Sequence, residues 1–293
     1  MDEIDELEAE RHTLLALAYR MLGIVADAED AVQETYLRWY RLPEAERAQI
    51  NNPAAWLTRV AGRVCLDHLG SARARRERYV GEWLPEPVPG ESAIVASVPA
   101  DPLDRVTLDE SVSVALLVVL ESLTPAERVA FVLHDVFGVP FVDIAETVGR
   151  SPEAARQLAS QARRRIRERR AGIASRQQHD AVARAFADAA ATGDLDALVG
   201  LLDPDVVLRS DGGGKVSAAR RPILGADRVA RFLLGLPHLE PTATVEPALT
   251  PEGAAFRVRI GSRTDSVISV DVVGDRVSEI YIVRNPDKLM LWQ

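Results

Sequence analysis

The chain has 293 residues, a formal net charge of −9, 47% hydrophobic and 27% charged residues; these are globular values, in a chain long enough for two or three domains. A single cysteine, Cys65, excludes an internal disulfide framework and a clustered cysteine metal site. No apolar run approaches the ~20 residues of a spanning helix, and the acidic residues 1–8 are the opposite of a secretory leader, so the chain reads as cytoplasmic with no membrane partner.

Residues 1–80 read as helices. Leu14, Leu15, Leu17, Ala18, Met21 and Leu22 form an apolar stripe that Gly23 ends. A second helix is expected from Asp27, its first turns crowded with Asp27, Glu29, Asp30 and Glu34, which favour a helix N-terminus and also offer an acidic surface. Asn52 and Pro53 predict an N-cap and first helical position, and Trp56, Leu57, Val60, Val64 and Leu69 predict the buried side of a third helix. Trp56 and Tyr79 are also candidates for stacking on unpaired bases, with the core as the ordinary place for Trp56.

Residues 81–105 are proline-rich and read as a linker. Trp83 and Leu84 gain nothing in water, so they are expected to dock on a domain surface. Residues 106–172 return to helix: Thr124, Pro125 and Glu127 combine a capping box with a first-position proline. A short helix over 141–148, a Gly149-Arg150 turn and a basic helix from Ser151 make a helix-turn-helix signature. Residues 176–293 read as an α+β domain on a curved antiparallel sheet, with strands expected at 206–209, 256–260, 267–273 and 277–283 and a helix over 226–234.

The chemistry lies in the charge pattern. Lys215 and Lys288 are the only lysines, while arginines gather in segments 59–78 and 150–170. Arginine suits bidentate contacts to phosphate and guanine, so this is an electrostatic footprint for a polyanion within an acidic chain. On the second basic helix, Arg156, Gln157, Ser160 and Gln161 share a face near the end that enters a major groove, and they are the types that read base edges. Arg163, Arg164 and the arginines up to Arg170 are expected to meet phosphates.

The order of pieces resembles a bacterial extracytoplasmic-function (ECF) sigma factor. Residues 27–37 resemble the segment by which that family grips the polymerase clamp. Residues 151–166, with Arg156, Ala162 and Arg163, resemble its −35 helix. The C-terminal domain resembles a SnoaL-like cone related to ketosteroid isomerase. Three motifs are those of the subgroup that carries such an extension: Trp83, Leu84, Pro85, Glu86, Pro87; Asp211, Gly212, Gly213, Gly214, Lys215; and Asn285, Pro286, Asp287, Lys288, Leu289. The fold implied is multidomain: sigma region 2 over 1–80, the linker over 81–105, an all-α sigma region 4 over 106–172 and the SnoaL-like domain over 176–293. The resemblance implies core RNA polymerase and promoter DNA as partners. It assigns Asp27, Asp30, Gln33 and Glu34 to polymerase, and Arg59, Arg63, Arg73, Arg75 and Arg76 to −10 DNA. Arg156, Gln157, Ser160, Gln161, Arg163 and Arg164 fall to −35 DNA, and the three motifs to regulatory contacts made in cis. Arg63 departs from the asparagine that many members carry nearby, so the identity of the flipped −10 base transfers less well than the binding mode.

Two other classes stay open on sequence: a DNA-binding regulator that never touches polymerase, and an isomerase or hydrolase built on the cone, with Asp211, His238 and Asp271 as candidate acids or bases. The glycine loop lacks Walker spacing, and no metal-ligand spacing appears among the five histidines. No catalytic residue, cofactor or metal is expected. An unidentified small ligand in the C-terminal domain is a further candidate partner.

Overall fold

The computed structural model describes residues 3–76, 79–92, 94, 113–169, 172 and 174–293, without the side chains of 3–9 and 72–76. The chain divides into two compact units. The first comprises Met1–Glu77, Ser92–Val112 and Leu116–Arg169; the second comprises Arg78–Glu91, Ser113–Ala115 and Arg170–Gln293. The expected linker is therefore split: its start is built into the second unit, and 95–105 lies outside the described residues.

The first unit is helical. It contains α1 (Glu3–Leu22), α2 (Val25–Arg41), α3 (Glu44–Arg47), α4 (Pro53–Arg76), most of α5 (Val114–Glu121), α6 (Pro125–Phe131), α7 (Phe141–Val148) and α8 (Pro152–Arg169). The stripe of α1 is buried as its spacing requires, and Gly23 leaves the helix with φ of 73°. Asn52 caps α4 through the Ala55 amide at 3.0 Å. Thr124 and Glu127 close the reciprocal capping box of α6. From α6 the chain continues into a π-helical turn, Val132–Val136, which helical periodicity alone does not predict. Arg128 is buried; its guanidinium donates to Leu120 O and Met21 O and pairs with Glu121. Burial lowers this group to about 9, and three acceptors hold its charge. Cys65 is fully buried and burial pushes its thiol up, so it packs as a small apolar group.

The second unit carries α9 (Arg176–Thr192), α10 (Leu195–Leu201), α11 (Ala226–Leu239) and a six-stranded sheet in the order β2-β1-β6-β5-β4-β3. The strands are β1 (Leu202–Asp211), β2 (Ile223–Leu224), β3 (Ala243–Thr250), β4 (Gly253–Ile260), β5 (Arg263–Val273) and β6 (Arg276–Val283). The sheet is mixed rather than purely antiparallel, because β1 pairs with β6 in parallel. Two strands were not expected from the sequence. β2 is two residues long, and β3 contains Pro247, which an edge strand tolerates. One side of the sheet packs on the helices through Phe256, Val270, Val272, Ile280 and Ile282 against Phe186, Leu198, Val229 and Leu233.

At the β3–β4 turn, Glu252 accepts from the Val114 amide at 3.4 Å, while its Oε2 is buried without a hydrogen-bond partner. Burial raises this carboxyl above its ordinary 4.5, against the opposing pull of its own amide, Val114, His179 and Thr250. A raised acid favours its neutral form in the fold. Its contribution is therefore present below the unfolded value and lost as pH rises through the folded one. Glu252→Gln is expected to raise Tm at neutral pH, with the gain shrinking as pH falls through the carboxylate range; thermal melts of both chains across pH check this.

Candidate polymerase, promoter and linker-clamp surfaces

Helix α2 buries Ala28, Ala31, Val32, Thr35 and Trp39 and turns the opposite face outward. Glu29, Asp30 and Gln33 are exposed there, followed by Leu37 at 47% and Tyr40 at 55% exposure. The acidic residues of the sequence thus continue into an apolar end on one stripe. Asp27 is half-buried. Glu34 is also half-buried; it pairs with Arg38 at 2.5 Å and lies 3.7 Å from His68.

Helix α4 meets the first helix of the helix-turn-helix. Arg59 lies 3.5 Å from Asp143 and 3.3 Å from Glu146, and Arg63 donates to Thr147 O at 3.0 Å. Gly62 allows the approach: a Cβ there would sit 3.0 Å from Leu133 and 3.3 Å from Thr147. Two of the arginines assigned to −10 DNA are therefore engaged by α7. The side chains of Arg73, Arg75 and Arg76 lie outside the described ones. Trp56 is half-buried and meets Trp39 edge-on at 5.2 Å, which places it at the margin of the core.

In the helix-turn-helix, Gly149 closes α7 with φ of 65°, and Ser151 caps α8 through the Ala154 amide. Helix α8 buries Ala155, Ala159, Ala162 and Ile166, leaving Arg156, Gln157, Ser160, Gln161 and Arg164 exposed. Arg163 is half-buried and lies 3.4 Å from Asp135, while Arg165 donates to Glu127 at 3.0 Å. These two arginines, expected to meet phosphate, hold the domain's own carboxylates. The sequence shows only their charge.

In the second unit the three short motifs meet. Asp211, at the end of β1, is completely buried. Its Oδ1 accepts from Tyr79 Oη at 2.6 Å and the Gly213 amide at 2.9 Å; its Oδ2 accepts from the Leu84 amide at 3.0 Å and Lys288 Nζ at 2.7 Å. Lys288 also donates to Leu84 O and lies 4.3 Å from the Trp83 ring centroid and 5.1 Å from that of Tyr79. Leu84, Pro85, Glu86, Pro87 and Val88 are buried. Asn285 donates to Tyr79 Oη at 2.8 Å, and Trp292 Nε1 to Pro87 O at 2.8 Å. Gly213 has φ of 62°, and a Cβ there would fall 2.5 Å from the Asn285 side chain. Lys215 pairs with Asp287 at the surface, so the cation that enters the clamp is Lys288. Pro286 and Asp287 form a short 3-10 turn capped by Asn285, and Leu289 is buried behind it. Burial, and then Asp211, push the Tyr79 phenol up, which keeps it a donor. The sequence offered Tyr79 only as a stacking platform. Nothing in its pattern marked Trp292 or Arg284, whose guanidinium joins Asp265 to Ser217 O beside the glycine loop.

The chain matches the models for Sigma-70 region 2 over residues 7–75 and Sigma-70 region 4 over 113–166. It is 48% identical to the ECF RNA polymerase sigma factor SigJ of Mycobacterium tuberculosis, over 98% of this chain and 93% of that one. It is 40% identical to the probable ECF RNA polymerase sigma factor SigI of the same species, over 96% and 92%. The crystal structure of M. tuberculosis SigJ superposes with a TM-score of 0.73, covering 98% of both chains at 40% identity. The chain belongs to the ECF RNA polymerase sigma factors. As the sequence led one to expect, this sigma factor is two helical sigma regions followed by an α+β domain, and it belongs to a family without enzymatic activity of its own. Among the described residues no helix is long and apolar enough to cross a membrane, and no acidic, histidine and cysteine cluster could hold a metal ion.

The clamp generates a stability prediction. Lys288 and Asp211 are 5% and 0% exposed at the side chain. Lys288→Met strands a buried carboxylate and is expected to cost about 3–5 kcal/mol in urea unfolding. Adding Asp211→Asn should cost less than the sum of the two single changes, because they share one interaction.

Proposed function

We propose that this sigma factor acts in the cytoplasm, binds core RNA polymerase through α2, directs it to promoters through α4 and α8, and is controlled in cis by its C-terminal domain. The polymerase interface is the stripe of Asp30, Gln33, Leu37 and Tyr40, where an acidic start complements a basic surface and an apolar end supplies buried area. The −35 interface is the open face of Arg156, Gln157, Ser160, Gln161 and Arg164. The observation that carries the cis reading is the clamp. Residues 79–91, which follow the region 2 match in the chain, are held by Asp211, Lys288 and Trp292 of the C-terminal fold.

In vitro transcription with core enzyme, on promoters recovered by chromatin pull-down, tests this. Asp30→Lys with Gln33→Lys should abolish co-purification with core enzyme while leaving the melting curve unchanged. Removal of 285–293 should preserve co-purification but change transcript yield. Retention of core by the charge-reversed chain refutes the polymerase surface, and an unchanged yield from the shortened chain refutes control in cis.

Promoter capture through Arg59, on this reading, competes with its contact to α7, because Asp143 and Glu146 engage guanidinium donors that a nucleic-acid phosphate would otherwise take. The pairs are partly exposed and worth little each, ~0.2–1 kcal/mol, so DNA can compete for them. Asp143→Ala with Glu146→Ala is expected to tighten binding of a −10 single strand about two- to fivefold in fluorescence anisotropy. Equal affinity would place the −10 site elsewhere on α4.

A further inference from the structure

The helix-turn-helix contains an aromatic support that its role in the family does not assign. Phe141 is the first residue of α7 and is only half-buried. The Arg156 guanidinium carbon lies 5.2 Å from its ring centroid. The His134 ring lies 3.9 Å from the same centroid, tilted by 31°. His134 belongs to the π-helical turn, and its Nδ1–H donates to Val139 O at 3.0 Å; the carbonyl can only accept, which sets the tautomer. That bond fixes the imidazole, the imidazole borders the phenyl ring, and the ring carries the guanidinium. Three elements thus converge on one exposed arginine: the π turn, the start of α7 and the first turns of α8.

The chemistry of guanidinium makes this arrangement useful. Its N–H donors lie in the molecular plane, while its faces are weakly hydrated and stack on aromatic rings. An arginine lying over a ring keeps its edge donors available for an acceptor pair such as guanine O6 and N7. A free arginine must lose several rotatable bonds to make the same contact, so a ring that already restricts it lowers the entropic cost of reading a base. A buried core phenylalanine would have no such consequence, and neighbouring Arg163 and Arg165 are held by carboxylates instead. An ion pair would consume the donors that a ring contact leaves open.

We propose that Phe141, backed by His134, is a positioning residue for promoter reading: it holds Arg156 in a preorganised orientation for one base pair of the −35 element. The proposal rests on the reading that Arg156 contacts a base. Its test uses the full chain assembled with core polymerase, a pool of duplexes randomised through the −35 region, and sequencing of the bound fraction. Arg156→Ala is expected to flatten base preference at one position. Phe141→Leu, which keeps apolar bulk but removes the ring, should reduce enrichment at that same position about two- to fivefold and leave the other positions intact. Phe141→Tyr, which keeps the ring face, should restore it, and Arg156→Ala with Phe141→Leu should be no worse than Arg156→Ala alone. If Arg156→Ala leaves every position unchanged, base contact by Arg156 is refuted and the proposal with it. If Arg156→Ala flattens one position while Phe141→Leu leaves it sharp, or blurs all positions alike, the base contact stands and the positioning role is overturned.

Discussion

A carboxylate sealed from water has to be matched oxygen by oxygen, and Asp211 is. Each of its two oxygens receives two donors, so its lone pairs are used without a water. These donors come from three places far apart in the chain: Tyr79 and Leu84 before the helix-turn-helix, Gly213 in the adjoining loop, and Lys288 near the C-terminus. Losing one donor leaves the others around an under-compensated charge, so the group behaves as a unit. The proline content of the captured segment serves the same end. Pro85 and Pro87 bring no N–H into the interior, Leu84 spends its amide on Asp211 and its carbonyl on Lys288, and Pro87 O takes the Trp292 indole. A chain with a full set of amides would need more partners to be buried there.

The arginines follow a different rule. In a chain of net charge −9 they cannot be sorted by sequence clustering, because many are neutralised internally. Arg59, Arg163 and Arg165 pair with carboxylates, and Arg128 is buried among carbonyls and Glu121. Arg156 is exposed and rests on a ring. Arg163, two turns from Arg156 on nearly the same side of α8, and Arg165, on the opposite side, both pair with carboxylates of other elements, and nothing in the local sequence sets them apart from Arg156. Their partners, Asp135 and Glu127, lie 28 and 38 residues away, beyond any helical spacing.

Local signals were legible wherever one residue decides a backbone choice. Asn52, Thr124 with Glu127, Gly149 and Ser151 each set a helix boundary in the place their chemistry requires. Alternating Phe256, Val258 and Ile260 announced β4, whereas β3 was hidden by Pro247 and by an edge position that imposes no strict alternation. The parallel pairing of β1 with β6 depends on contacts across about 70 residues, which no window contains. Trp83 and Leu84 were recognisable as groups that must dock, because solvent cannot reward them. That the receiving cation is Lys288 and not Lys215 was not readable, since both lie beside acidic or amide groups and only burial separates them.

The same geometry works against acid–base chemistry at Asp211. A catalytic carboxylate needs open lone pairs, a space for substrate and a perturbed protonation balance. Asp211, the strongest candidate by position, has every lone pair committed to the clamp. His238 stands exposed in the last turn of α11. The side of the sheet facing the helices is filled by Phe186, Phe256, Leu233 and Ile280 packing against one another. The cleft lined by the glycine loop, Val80, Gly81 and Arg220 is about 170 Å³, smaller than a pocket for a drug-sized molecule. Bringing Asp211 into play as an acid or base would require withdrawing Lys288 and Leu84, which would release the segment that the domain holds. In this fold, catalysis at Asp211 and custody of residues 79–91 are mutually exclusive uses of one carboxylate.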